Sequence, residues 1–384
     1  MGKGKMWRYA SPREIVFGED ALETLAELEY RRVLIICGPT VKKIGILDEV
    51  SEIIKRAGAE VETIDWIEVE PSLASVIKSS QFAINFQPDC IIGLGGGSSI
   101  DAAKAIYALY ERPDIDITTL SPLETLGLGK KSKLICIPTT SGSGSDSNWA
   151  VVLFDEENDT KMELASREVV PHLVLLDPKL VISMPPRITA SSGIDALAHA
   201  IEAFVSQWRN DFSNAFAIRA IGTIFEYLVR SVENADDIEA REKMHYAATM
   251  AGIAFGNSGV GLAHAMAHAV GALFKMSHGV AVGIFLPHVI RFNAEVAARD
   301  YKEIIKAARL ESFENPGELL ANYITNLLKK INMPTKIGEL GISQEEYIGA
   351  LDALVERTVN SSGFITNASP LDKDECRSLL LAAF

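Results

Sequence analysis

Apolar residues in the first half of the chain gather in short runs closed by turn-forming residues: Val33 to Cys37, Val61 to Ile64, Cys90 to Leu94, Leu134 to Ile137, Ala150 to Phe154 and Leu173 to Leu176. Unbroken runs of this length suit strands buried on both faces. Amphipathic stretches such as Leu47 to Ala57 and Ile100 to Tyr110 lie between them. That alternation predicts a parallel sheet flanked by helices. The texture changes at Pro185-Pro186. From Thr189 onward the pattern is Ala-rich helical periodicity with no convincing strand. Two domains are predicted: an α/β N-terminal domain over residues 1–185 and an all-α C-terminal domain over residues 186–384, with a ligand cleft between them.

Composition narrows the partners. The 384 residues carry 37 Lys and Arg against 51 Asp and Glu, a net charge of −14. Such a balance repels phosphate backbones and anionic lipid, so neither nucleic acid nor a membrane is an expected partner. A hydrophobic content of 48% with ordinary Gly and Pro usage excludes a disordered or collagen-like chain. Cys37, Cys90, Cys136 and Cys376 lie far apart with no C-x-x-C pair, which suits a reducing compartment. The start, Met1 to Tyr9, is basic but lacks the apolar stretch of a signal peptide, and no run reaches membrane-helix length. A cytoplasmic protein is expected.

Two loops are candidates for nucleotide binding. Gly93-Leu94-Gly95-Gly96-Gly97-Ser98-Ser99-Ile100-Asp101 follows a strand and opens a helix, where bare backbone N–H groups can approach a phosphate. Ser98 and Asp101 also have the spacing of an N-cap and its N3 acid, so helix capping is their alternative role. Pro138-Thr139-Thr140-Ser141-Gly142-Ser143-Gly144-Ser145-Asp146 offers further N–H and O–H donors after another strand.

Metal-binding residues cluster in the second half. Asp195 and His199 are four apart in the predicted helix Ile194 to Phe204, one turn apart on one face. His264 and His268 repeat the spacing in Val260 to Leu273, and His278 follows beside Gly279. Only seven histidines exist, and four of them fall here in Ala/Gly-rich segments almost devoid of other charges. Buried Asp and His require partners, and a divalent cation supplies one. Three imidazoles with one carboxylate suit Fe²⁺, Zn²⁺, Mn²⁺, Ni²⁺ or Co²⁺ without choosing among them. His172, His245 and His288 are read as structural or solvent-facing.

These residues carry a resemblance. The Gly95-Gly96-Gly97-Ser98 loop with Asp101 and Lys104, the Pro138 to Ser145 loop, Leu176-Asp177-Pro178, Gly193 to Glu202, Gly261 to His268 and His278-Gly279 together resemble the iron-containing, group III metal-dependent alcohol dehydrogenases over essentially the whole chain. The resemblance implies a nicotinamide-binding N-terminal domain, a helical C-terminal domain and a dehydroquinate synthase-like architecture. It implies a metal, Fe²⁺ with Zn²⁺ or another divalent ion as alternatives, held by Asp195, His199, His264 and His278, with His268 just behind them. It further implies that Gly96, Gly97 and Ser98 hold the pyrophosphate, with Gly95 and Asp101 in the same motif, and that Thr139, Thr140, Ser143 and Lys161 lie near the ribose and nicotinamide.

The chain departs from that family pattern in places. The family often has an aspartate after the first strand, which repels a 2′-phosphate. Gly38 stands there, so NADP(H) is favoured over NAD(H), although Glu70 could restore some repulsion. Asp146 and Ser143 replace the usual Glu and Thr, and Trp149 and Phe255 are expected to narrow the substrate pocket. The expected reaction is hydride transfer between NAD(P)(H) and a small uncharged alcohol, aldehyde or diol, with His268 relaying the proton. Segment 191–207 holds no Lys or Arg and segment 254–286 only Lys275, so the pocket lacks the donors that recognise carboxylate or phosphate. The alternatives are a polyol dehydrogenase of the same superfamily and a lyase resembling 3-dehydroquinate synthase, which needs several basic groups and returns its hydride within one cycle. A homodimer built on the segment Trp7 to Phe17 is expected.

Overall fold

The computed structural model describes residues 8–157, 160–311 and 315–384. Its strands are β1 (Glu14–Phe17), β2 (Arg32–Ile36), β3 (Glu60–Ile64), β4 (Cys90–Gly95), β5 (Lys133–Pro138), β6 (Ala150–Asp155), β7 (Thr160–Ala165) and β8 (Leu173–Leu176). Six form one parallel sheet in the order β1-β8-β5-β4-β2-β3. Helices α1 (Pro39–Lys43), α2 (Ile46–Arg56), α3 (Leu73–Phe86) and α4 (Gly97–Glu111) flank it. Alternate residues of β2 and β4 feed opposite cores. Leu34, Ile36 and Ile91 pack with α3 and α4, and Val33, Ile35 and Ile92 pack with α2. Each such side chain, removed from water, stabilises the fold by about 1.5–3 kcal/mol. This two-sided burial is why the strands read as unbroken apolar runs.

β3 lies on one side of β2 and β4 on the other, so the connections change direction between β2 and β4. A crevice opens at the carboxyl ends of strands at such a switch point. Gly38, Gly95 to Ser98 and Thr139 all lie there.

Two strands escaped the sequence pattern, and one was assigned to the wrong partner. Ala150–Asp155 does not join the parallel sheet but pairs antiparallel with β7. β7 alternates Lys161 and Glu163 with Met162 and Leu164, but over too few residues to stand out from the surrounding loop. β1 is a four-residue edge strand whose Phe17 is 65% exposed. It occupies the end of the segment expected to join two copies, while Met1 to Trp7 lie outside the described residues.

After α5 (Lys179–Ile182) the described chain is helical: α6 (Pro186–Val205), α7 (Asp211–Glu233), α8 (Ile238–Gly256), α9 (Leu262–Phe274), α10 (His278–Phe292), α11 (Ala298–Ala307), α12 (Pro316–Lys330), α13 (Gln344–Gly349), α14 (Leu351–Val359), α15 (Ser362–Thr366) and α16 (Lys373–Ala382). Every α6 residue from Gly193 to Val205 is buried, and Ala196, Ala198, Ala200 and Ala203 allow neighbouring helices to approach closely. Asp195, His199 and Glu202 therefore sit inside a core, where a polar side chain needs a partner. Among the described residues no helix is long and apolar enough to cross a membrane.

A buried guanidinium braces the connection between the halves. Arg241 on α8 donates to the Val181 and Met184 carbonyls at 3.3 and 3.0 Å and to Thr189 Oγ1 at 2.6 Å. Arg241→Met is expected to destabilise the fold by about 2–3 kcal/mol, because carbonyls at a buried turn lose charge-assisted donors. Urea unfolding checks this, and an unchanged midpoint would remove Arg241 as a brace.

Candidate metal and nucleotide site

The α6 helix brings Asp195 and His199 onto one face, and α9 and α10 supply the rest. The nitrogen Nε2 of His264 and that of His278 each lie 3.4 Å from Asp195 Oδ1, and His199 Nδ1 lies 4.0 Å from Asp195 Oδ2. One potential ligand atom from each of Asp195, His199 and His264 falls within 4.8 Å of the others. His278 is the most open of the four. It reaches the cluster because Lys275 ends α9 in the left-handed region (φ 50°) and turns the chain back. Gly279 then lets α10 abut α6, since a Cβ there would stand 2.1 Å from the Ser191 carbonyl oxygen.

Asp195 Oδ1, His199 Nδ1 and His264 Nε2 are buried and have no hydrogen-bond partner. Three orphaned polar atoms converging in one core would cost several kcal/mol unless a ligand joined them. The 3.4 Å separations match those between ligands of a tetrahedral ion with bonds of about 2.1 Å. The residues present fit a divalent cation.

Electrostatics agree. Burial alone would raise the Asp195 carboxyl, but His199, His278 and His264 hold it below the ordinary carboxylate range. Burial pushes His199 down to about 4 and His278 well below its usual value, which leaves both neutral and able to ligate. His264 differs. Burial lowers it, yet the Glu202 carboxylate beside Nδ1, together with Asp195 near Nε2, outweighs that and raises it to about 9. A cation would therefore displace a proton from Nε2.

The structure also shows groups that sequence reasoning missed. Glu202 accepts from His264 Nδ1 and from the Ala263 N–H at 2.7 Å. Its position seven residues after Asp195, on the same helical face, was a legible signal. His268 lies beside the four, its ring 5.0 Å from His278, and its Nδ1 is 2.6 Å from Glu163 Oε1 on β7. No local pattern marks Glu163. Phe255 stacks on His199 at 4.2 Å and walls the cluster. The other histidines have different settings: His172 Nδ1 accepts from the Leu134 N–H, His245 Nδ1 meets Ser141 Oγ at 3.2 Å, and His288 is half-buried on α10.

At the glycine loop, Gly95 has φ +141° and Gly96 is the N-cap of α4 with no side-chain capping bond, which leaves N–H groups available to a phosphate. The capping pair that the spacing of Ser98 and Asp101 allowed as an alternative is not formed. Ser98 lies inside the helix and donates to the Val69 carbonyl, because the turn places Gly96 at the cap. Asp101 points inward: its oxygens accept from Ser145 Oγ and from the Val152 N–H at 3.0 Å. It braces the second loop from within. Thr139 donates its N–H to Gly95 O, Thr140 flanks Gly96, and a Cβ on Gly97 would strike Ser143 at 2.8 Å. The two loops thus pack face to face with room for backbone only. Lys161 pairs with Glu70 at 2.6 Å, and Gly38 leaves the end of β2 without a side chain.

Comparison with known proteins gives these residues a context. Residues 12–178 match the family model described as iron-containing alcohol dehydrogenase, and residues 189–384 match that of the Fe-containing alcohol dehydrogenase family, C-terminal. The NADPH-dependent butanol dehydrogenase of Clostridium saccharobutylicum is 38% identical over 380 residues, covering 97% of each chain. The solved iron-containing alcohol dehydrogenase of Thermococcus thioreducens superposes with a TM-score of 0.89 at 34% identity, over 98% of this chain and 99% of that one. A solved 1,3-propanediol oxidoreductase gives 0.93 at 28% identity, over 99% and 100%. The parallel sheet followed by a helical half is the dehydroquinate synthase-like fold of these neighbours. With matches running through both halves and a relative aligned nearly end to end, the chain belongs to the iron-containing alcohol dehydrogenase family.

Proposed function

We propose that this alcohol dehydrogenase transfers a hydride between NADP(H) and a small uncharged alcohol, aldehyde or diol, at a divalent metal held by Asp195, His199, His264 and His278. The observation that carries the reading is the convergence of three buried, unpartnered ligand atoms. When bound, the metal supplies Lewis acidity at the alcohol oxygen and the nicotinamide accepts the hydride. The chain does the rest. Glu202 orients His264, and backbone N–H groups of Gly95 to Ser98 receive the pyrophosphate. Thr139, Thr140, Ser143 and Lys161 line the neighbouring loop and hairpin, where ribose and nicotinamide would lie. Phe255 excludes water beside His199, and His268 moves the proton. Asp101 braces the second loop through Ser145 and Val152 from behind the glycine motif.

NADP(H) is favoured because Gly38 offers no carboxylate, and Glu70 is neutralised by Lys161. The butanol dehydrogenase relative carries NADPH dependence in its name. Gly38→Asp is expected to shift the kcat/KM ratio toward NAD by at least about tenfold, from like-charge repulsion of the 2′-phosphate. Steady-state kinetics with both cofactors check this; an unmoved ratio would place the 2′-phosphate elsewhere.

Reconstitution with Fe²⁺ or Zn²⁺, followed by reduced-cofactor absorbance against short alcohols and aldehydes, tests the whole reading. Metal-dependent net accumulation of NADPH supports it. Nucleotide and metal binding without net accumulation, or a preference for phosphorylated substrates, would overturn it. A homodimer in a reducing cytoplasm is part of the proposal, supported by four buried free cysteines, and light scattering would expose a monomer.

A further inference from the structure

Glu163 is the polar hub of a contact that the proposed chemistry does not use. It projects from β7, in the hairpin outside the main sheet, yet its partners all come from the helical half of the chain. His268 Nδ1 lies 2.6 Å from Oε1, where Ser361 Oγ also donates at 2.8 Å. The Ser362 N–H and hydroxyl donate to Oε2 at 3.1 and 2.7 Å. Four partners saturate the lone pairs of one carboxylate. An acceptor so fully occupied has no place for a proton of its own. Although burial would raise the Glu163 carboxyl, His268 and the two serines hold it well below the usual range.

We propose that Glu163 is a positioning residue that fixes His268 with its proton on Nδ1, so that Nε2 is left as the working nitrogen beside the metal cluster. With the opposite tautomer, the Nδ1 lone pair would face a carboxylate oxygen, acceptor against acceptor. The ring is further held by its 5.0 Å stack on His278 and its edge contact with His264 at 6.3 Å. The hairpin is thereby joined to α9 and to the turn before α15 across the cleft. The role assigned to Nε2 rests on the dehydrogenase reading above. The tautomer does not.

The test uses zinc-loaded protein labelled with ¹⁵N-histidine, with His268→Gln to assign the signal. Long-range proton–nitrogen correlations report which nitrogen is protonated. Wild type is expected to show Nδ1–H. In Glu163→Gln the amide can offer its NH₂ to Nδ1, so the signal is expected to move to the Nε2–H tautomer, with kcat/KM falling about 10–100-fold at unchanged zinc content. The double variant Ser361→Ala/Ser362→Ala keeps the carboxylate and is expected to retain Nδ1–H with a smaller loss. Wild type showing Nε2–H, or Glu163→Gln leaving the tautomer unchanged, would overturn the proposal even if no other variant folded. A wild type with Nδ1–H but no net turnover on alcohols would instead sink the dehydrogenase reading and leave the placement of Glu163 standing.

Discussion

Asp195→Asn is expected to lower alcohol turnover by at least about a thousandfold and to leave the purified chain nearly free of bound metal. Its Oδ1 is the atom on which the site closes, 3.4 Å from both His264 Nε2 and His278 Nε2. An amide keeps the shape but loses the negative charge, and its NH₂ group donates where the cluster needs a lone pair. The Lewis acidity at stake is worth several kcal/mol of barrier, and about 4 kcal/mol already corresponds to a thousandfold. Metal content per chain and steady-state kinetics are the measurements. Chelation of wild type should mimic the substitution and be reversed by Fe²⁺ or Zn²⁺, whereas the variant should not recover. NADPH affinity should change little, because the glycine loop takes its donors from the α4 N-terminus. Full metal content with unchanged turnover in the variant would remove Asp195 from the site.

What the sequence made legible follows from how local each interaction is. Val33 to Ile36 could be read as a buried strand because its alternate residues enter two cores. Asp195 and His199 could be read as a pair because helical spacing alone sets them one turn apart. The union of these with His264 and His278 depends on a left-handed turn at Lys275 and a close approach at Gly279, which the sequence signalled only through the glycine beside His278 and the scarcity of other charges around the histidines. Glu163 was beyond reach, since it lies 105 residues from His268 and its other partners, Ser361 and Ser362, are still farther along the chain. Ser98 and Asp101 show the opposite failure. Their spacing imitates a capping box, but the helix begins two residues earlier than that pattern needs, and tertiary partners claim both side chains.

Lys104→Met is expected to destabilise the fold by about 3–5 kcal/mol at neutral pH, the cost of breaking a buried charge cluster by removing one member. Lys104 is fully buried on α4 and donates to Asn148 Oδ1 at 3.2 Å and to the Ala150 carbonyl at 3.0 Å. Burial lowers its ammonium, while Asp101, Cys136 and Asp146 pull it back up. Burial likewise raises Asp101 and Asp146, and Lys104 opposes that rise in both. Methionine preserves the stem but leaves two buried carboxyls without their cation. The pH dependence has a definite sign. A carboxyl whose folded value is raised favours the folded state below its unfolded value, and that contribution is lost as pH rises through the folded value. Removing Lys104 raises both carboxyls further, so the stability difference between wild type and variant should be largest at neutral pH and shrink as the pH is lowered and they protonate. Urea unfolding at neutral and at lower pH measures it, and a difference that is flat in pH would mean Lys104 acts by packing alone. Because Ser145 and Asn148 are tied to Asp101 and Lys104, the same variant should loosen the loop that faces Gly97 and weaken NADPH binding. The cluster thus links the stability of α4 to the position of the loop after β5: the cation that keeps two carboxyls buried is also tied through Asn148 and Ala150 to the segment that follows that loop.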